Sequence, residues 1–82
     1  MYSVYILFSQ KLNRYYVGYT NSVERRLTEH NRKKGKYTDA GIPWKLVYLE
    51  KYELKIEAME REVFIKSKKS RKYIESLILN EE

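Results

Sequence analysis

The chain has no cysteine, one histidine, one proline and three glycines. The missing thiols exclude a disulfide framework and any thiolate zinc site. A lone histidine excludes most His-based structural metal sites. An 82-residue chain has room for one domain with a modest core, and here that core must come from packing alone. Nine tyrosines, two phenylalanines and one tryptophan are enough to supply it. Long apolar runs are absent, as are a signal-peptide pattern and a lipidation motif. The expectation is a soluble cytoplasmic protein without membrane contact. Acidic residues are the scarcer charge: 17 Lys and Arg against 11 Asp and Glu leave a net +6 at pH 7. That excess suits a polyanion such as nucleic acid, and it suits a merely basic surface equally well.

Residues Tyr2 to Phe8 carry no charge and mix β-branched, aromatic and aliphatic side chains, which predicts a strand buried on both faces. Arg14 to Thr20 is a second such run, and the short polar connection between them predicts a β-hairpin. Asn21 reads as a helix N-cap, with Glu24 three residues later as in a capping box. The helix that follows has Val23 and Leu27 on its apolar stripe and fades in Arg32-Lys33-Lys34-Gly35. Lys36 to Pro43 reads as a loop. Trp44 to Glu50 is the third strand, with Trp44, Leu46 and Tyr48 expected on one face. A second helix is predicted from about Lys55 to Lys68, with Ile56, Met59 and Val63 in its buried stripe. Ser70 can cap a last helix that buries Ile74, Leu77 and Ile78. The order β-β-α-β-α-α predicts an α+β domain over residues 1–82: a small three-stranded antiparallel sheet flanked by helices.

Some polar residues sit where the pattern calls for apolar ones. Arg26 and His30 lie four apart on the first helix and share a face at the margin of the Val23/Leu27 stripe, whereas Arg25 faces solvent. A planar cation there needs an anion, unless it snorkels its head into water. Glu62 lies between Ala58 and Ile65 on the second helix, so its carboxylate is desolvated unless a cation satisfies it. Lys66, four residues on, is one such cation, and a bound Mg²⁺ is another. Glu57 and Glu60 have ordinary solvent-face positions. In the hairpin, Tyr5 and Tyr16 share a face if Phe8 pairs with Tyr15, and a one-residue slip would separate them.

Basic residues cluster twice. Arg32, Lys33, Lys34 and Lys36 follow the first helix; Lys66, Lys68, Lys69, Arg71 and Lys72 surround the junction of the last two. Cations ending the second helix complement its dipole. Arg71 and Lys72 open a helix, where positive charge is unfavourable and a phosphate would resolve the conflict.

Taken in order, these residues resemble the GIY-YIG nuclease superfamily, in particular its small stand-alone bacterial members. Ser3-Val4-Tyr5 is similar to the first signature triplet, with Ser-Val in place of Gly-Ile, and Tyr16-Val17-Gly18 to the second. Val23 to Asn31 is similar to the family's arginine helix ending in His-Asn, and Glu57 to Glu62 to its glutamate segment. The ordered set covers almost the whole chain. The resemblance implies that Tyr5 and Tyr16 line the active site, that Arg26 is the catalytic arginine and that Glu62 is the single metal ligand. It places His30 at a further active-site position. It implies a Mg²⁺- or Mn²⁺-dependent endonuclease that hydrolyses DNA, in repair or recombination, with RNA as the other substrate class left open. In that chemistry Tyr16 is the proposed base and Tyr5 orients it. Lys33, Lys34, Lys36, Lys66, Lys68, Lys69, Arg71 and Lys72 are the candidate backbone contacts. Nothing in the sequence calls for an obligate protein partner. The alternative is a non-catalytic nucleic-acid-binding module that keeps the basic clusters and cleaves nothing.

Overall fold

The computed structural model describes residues 1–80. Strand β1 (Tyr2–Ser9) and strand β2 (Arg14–Thr20) form the predicted antiparallel hairpin, with Phe8 opposite Tyr15. Helix α1 (Val23–His30) follows, then a short 3-10 helix (Tyr37–Gly41), strand β3 (Trp44–Tyr52) and helices α2 (Lys55–Ser67) and α3 (Arg71–Leu79). The sheet is three-stranded and antiparallel in the order β2-β1-β3. The α+β architecture and its element order are those expected from the sequence. Among the described residues no helix is long and apolar enough to cross a membrane.

Central β1 is buried on both faces from Val4 to Leu7. On one face Val4, Ile6 and Val17 pack against Ala58 and Ile65 of α2, with Ile74 and Leu77 of α3 beside them. On the other, Tyr5, Leu7 and Trp44 pack with Leu27 of α1. The helices therefore cover the sheet from both sides, α1 against α2 and α3. Ser9, at the end of β1, is fully buried and braces the hairpin turn: its hydroxyl donates to Gly41 O at 2.7 Å and accepts from Leu12 N–H at 3.1 Å.

Three local expectations are corrected. Trp44, Leu46 and Tyr48 do not share a face. The β1–β3 register shifts between Ile6 and Leu7, so that Ile6 opposes Tyr48 while Leu7 opposes Leu46. The extra residue, Val47, is a bulge that turns Tyr48 toward the α2 side. The cap of α1 is Ser22 rather than Asn21: Ser22 Oγ accepts from Arg25 N–H at 3.3 Å. The Thr20 hydroxyl accepts from Ser22 N–H at 3.0 Å, and that turn delays the helix start by one residue. The buried stripe of α2 is Ala58 and Ile65, whereas Ile56, Met59 and Val63 are exposed. Ala58 has no bulk to hold the helix off the sheet. Beside it Arg61 makes a two-pronged pair with Glu50 of β3, at 3.0 Å on each arm. Tyr52 donates to the same carboxylate at 2.6 Å, and Tyr48 donates to its other oxygen. A satisfied, half-buried network of this kind fixes the rotation of α2 about its axis. That rotation points Glu62 where it does.

Candidate active site

Tyr5 rises from the central strand opposite Gly18 and is only 2% exposed. Its ring passes over Gly18 toward the outer edge of β2. A Cβ at that glycine would stand 2.5 Å from Tyr5 Oη and 2.7 Å from Cζ. The glycine of the second triplet is there to let a central-strand tyrosine reach the rim of the sheet. Tyr16 lies on the same face, its ring 6.4 Å from that of Tyr5 and stacked at 24°. His30, at the end of α1, sets its imidazole edge-on against Tyr16 at 4.5 Å between centroids.

The remaining two side chains come from opposite faces. Arg26 reaches in from α1; its Nη1 donates to Glu29 Oε1 at 3.0 Å, and about half of the side chain stays open. Glu62 reaches in from α2, with its side chain 17% exposed and Lys66 Nζ 3.3 Å from its carboxylate. Both line one cleft of about 330 Å³ with Tyr5, Tyr16 and Gly18. The helices sit on different faces of the sheet, but their side chains meet around the free edge of β2. His30 lines a neighbouring depression of about 270 Å³ that shares Tyr16 and Arg26 with the cleft.

Burial pushes the Tyr5 phenol up to about 12, reinforced by Tyr16, Glu62 and Glu29 and opposed by Arg26. Tyr5 therefore keeps its proton at neutral pH. The Glu29 hydrogen bond raises Arg26 further, and Arg26 in turn lowers the Glu29 carboxyl. Burial, then Arg26 and Lys34, lower His30 below its ordinary 6.5, so its imidazole is neutral at pH 7.

Residues 1–74 match the sequence model of the GIY-YIG catalytic domain. The chain belongs to the GIY-YIG family. It is similar to a UPF0213 protein of Streptococcus pneumoniae serotype 4, at 50% identity over 56 residues, covering 67% of this chain and 57% of that one. It is 48% identical over 64 residues to a UPF0213 protein of Bacillus licheniformis, covering 73% of this chain and 66% of the relative. It is also 42% identical over 69 residues to the UPF0213 protein YazA of Bacillus subtilis, covering 79% and 70%. The chain thus spans less than two thirds of the length of the first two relatives. No solved structure matches it.

Within this GIY-YIG domain the basic candidates divide by place. Lys34 and Lys36 line the depression beside His30. Lys66 and Lys69 line a third depression, of about 300 Å³, at the α2–α3 junction, where Tyr16 is again a wall. Lys33 and Lys72 are exposed. Lys68 instead lies over the Phe64 ring at 4.7 Å and near Tyr73 at 5.6 Å. Arg71 is exposed and tied to its neighbours: it donates to Asn13 O and Oδ1 at 2.8 Å each and to Glu75 at 3.0 Å, above the Tyr15 ring. The conflict of a cation at the start of α3 is thereby answered by the hairpin turn and Glu75.

Among the described residues there is no cluster of three or more His, Asp or Glu that could hold a metal. Glu62 is the one carboxylate lining the cleft among those residues. A single carboxylate with phenol oxygens nearby fits a hard divalent ion that takes its other ligands from water and substrate phosphate. It does not fit zinc, whose sites take three or four protein ligands, chiefly Cys and His. Sequence reasoning gave no role of their own to Gly18, Glu29, Glu50 and Arg61. A glycine inside an otherwise β-branched and aromatic strand was the available signal for the first; the ion pairs carry no sequence signal beyond charge.

Proposed function

We propose that the chain is a divalent-metal-dependent endonuclease that hydrolyses phosphodiester bonds in DNA, in repair or recombination. The observation that carries this reading is the convergence of Tyr5, Tyr16, Arg26 and Glu62, from four separate elements, on one cleft at the edge of β2. A packing role explains neither an arginine and a carboxylate brought to the same opening from opposite faces nor a glycine that lets a phenol through.

Glu62, with the phenol oxygens at hand, would hold Mg²⁺ or Mn²⁺, which supplies Lewis acidity at the scissile phosphate. Arg26 holds a non-bridging phosphate oxygen through its forked donors, and Glu29 fixes the guanidinium for that contact. Burial keeps Tyr5 protonated at neutral pH in the metal-free protein, where it serves as a hydrogen-bond donor. Tyr16 is the proposed base: in its phenolate form it takes a proton as water attacks phosphorus, and the 3′ oxygen leaves and is protonated from solvent. His30 packs against Tyr16 as a neutral ring and holds its orientation.

The deciding variant is Glu62→Gln, which keeps the shape and removes the charge. Cleavage of a DNA panel with Mg²⁺ or Mn²⁺ should drop by orders of magnitude, with folding and metal-free DNA affinity retained. The second reading, a binding module that cleaves nothing, is favoured by the Lys66 contact at 3.3 Å. If Glu62 serves only that pair, the substitution costs about 0.2–0.5 kcal/mol of stability and leaves activity untouched. Full activity in Glu62→Gln would end the metal-site reading.

A further inference from the structure

The depression beside His30 has a feature that the proposed chemistry leaves unused. Tyr37, at the start of the 3-10 helix, is 83% exposed and lines it together with Lys34 and Lys36. An aromatic side chain left this open in a small protein otherwise short of core is unspent contact area. The loop that presents it is not loose. Asp39 Oδ2 accepts from Lys34 N–H at 2.9 Å and from Gly35 N–H at 2.7 Å. Trp44 Nε1 donates to Thr38 O at 3.1 Å, and the Asn31 side chain clamps both backbone groups of Trp44. Gly35 has φ +76° with open space around it, so it is there for the backbone turn alone. The loop is built, and its product is a ring held in water among cations, next to Tyr16 and Arg26.

A ring face plus flanking lysines is the combination that grips a nucleotide strand: phosphates meet the charges and a base stacks on the ring. A base inside a continuous duplex has both faces covered by its neighbours and cannot stack on a protein ring without leaving the helix. We propose that this depression is a nucleotide subsite in which Tyr37 stacks on an unpaired base adjoining the scissile phosphate. The substrate class is then a DNA strand with at least one unpaired nucleotide at the cut, as in a single strand, a flap or a gap. This inference rests on the nuclease reading for its link to the scissile phosphate, and on Tyr37 for the base. Stacking on one ring face reads no hydrogen-bonding edge, so the subsite tolerates all four bases.

The test is metal-free binding, by fluorescence anisotropy, of the whole chain and of Tyr37→Ala to three probes. These are a short single-stranded DNA, an abasic strand of the same length, and the matching duplex. Tyr37→Ala should bind the single strand about 10-fold more weakly, the loss of a stack of about 1.4 kcal/mol. It should bind the abasic strand and the duplex as the parent does, and Tyr37→Trp should restore single-strand affinity. Tyr37→Ala with parental affinity for the single strand overturns the subsite, as does an equal loss on the abasic strand. Cleavage assays on the same proteins keep the two ideas apart. A chain that shows the base-dependent loss but cuts nothing refutes the nuclease reading alone. One that cuts, with Tyr37→Ala binding and cutting like the parent, refutes the subsite alone.

Discussion

Replacing Gly18 with alanine would put a methyl carbon 2.5 Å from the Tyr5 hydroxyl and 2.7 Å from Cζ of the same ring. Non-bonded atoms settle at about 3.5–4.0 Å, so roughly 1 Å has to be recovered by movement. The ring has little room to retreat, being 2% exposed and flanked by Tyr16 and His30. Overpacking of this kind costs about 1–3 kcal/mol. It is offset by the roughly 0.5–1 kcal/mol that a glycine otherwise costs in a strand. The expected net loss is about 1 kcal/mol, which lowers Tm by about 4–8 °C in a domain of this size. Thermal unfolding followed by circular dichroism reads it directly. In a Tyr5→Val background the obstructing ring is gone, and the same Gly18→Ala change should become stabilising by about 0.5–1 kcal/mol. The double-mutant cycle therefore predicts a change of sign, which additive sites do not show. Cleavage should fall in Gly18→Ala even at temperatures where the fold is intact, because the displaced hydroxyl no longer reaches the cleft. An unchanged or higher Tm for Gly18→Ala beside an intact Tyr5 would refute the crossing-ring argument.

His30 binds a proton less readily folded than unfolded, so its contribution to stability is complete above its ordinary 6.5 and declines as pH falls through that value. The drop in Tm between about pH 7.5 and 5.5 should be steeper in the parent than in His30→Phe, and equal slopes would contradict the assignment. Lys69 sits at φ +47° just past the end of α2, where glycine is the ordinary occupant. Lys69→Gly should gain about 1 kcal/mol in thermal unfolding while weakening DNA binding at low salt; a variant no more stable than the parent would sink this account. Glu62→Gln should abolish cleavage without lowering Tm, and the Tyr37→Ala loss should appear only on probes that carry unpaired bases.

Much of this arrangement is legible in the sequence, and for a common reason. The hairpin register follows from uncharged strands joined by a short turn, and it placed Tyr5 and Tyr16 together. Glu62 could be told from Glu57 and Glu60 because Ala58 and Ile65 define the inner face of α2, and the structure buries those two. The failures have specific causes. One bulged residue, Val47, reverses the side of Tyr48, and nothing in an alternating strand announces it. Ile56, Met59 and Val63 outnumber Ala58 and Ile65 as apolar residues, yet the side that packs is chosen by the small Ala58 and by the Arg61–Glu50 pair. The contact of Arg71 with Asn13 carried no signal, because the two are 58 residues apart in sequence. Tyr37 fell within the expected loop from Lys36 to Pro43, and its exposure is a property of the folded loop and not of the residue.

The cleft opens across the rim of β2, where a central-strand ring crosses outward and two helices reach in from either face. A strand rim is ordinarily a template on which a further chain can add itself by backbone pairing. Here such pairing would lay peptide across the opening between Arg26 and Glu62, so lengthening the sheet on this side and admitting a substrate are mutually exclusive events. The other rim, along β3, contributes no residue to the cleft. A copy of the chain or a peptide that added to β3 would leave the proposed chemistry free, while one that added to β2 would block it. The backbone edge that makes room for the site is also where a competitor would shut it.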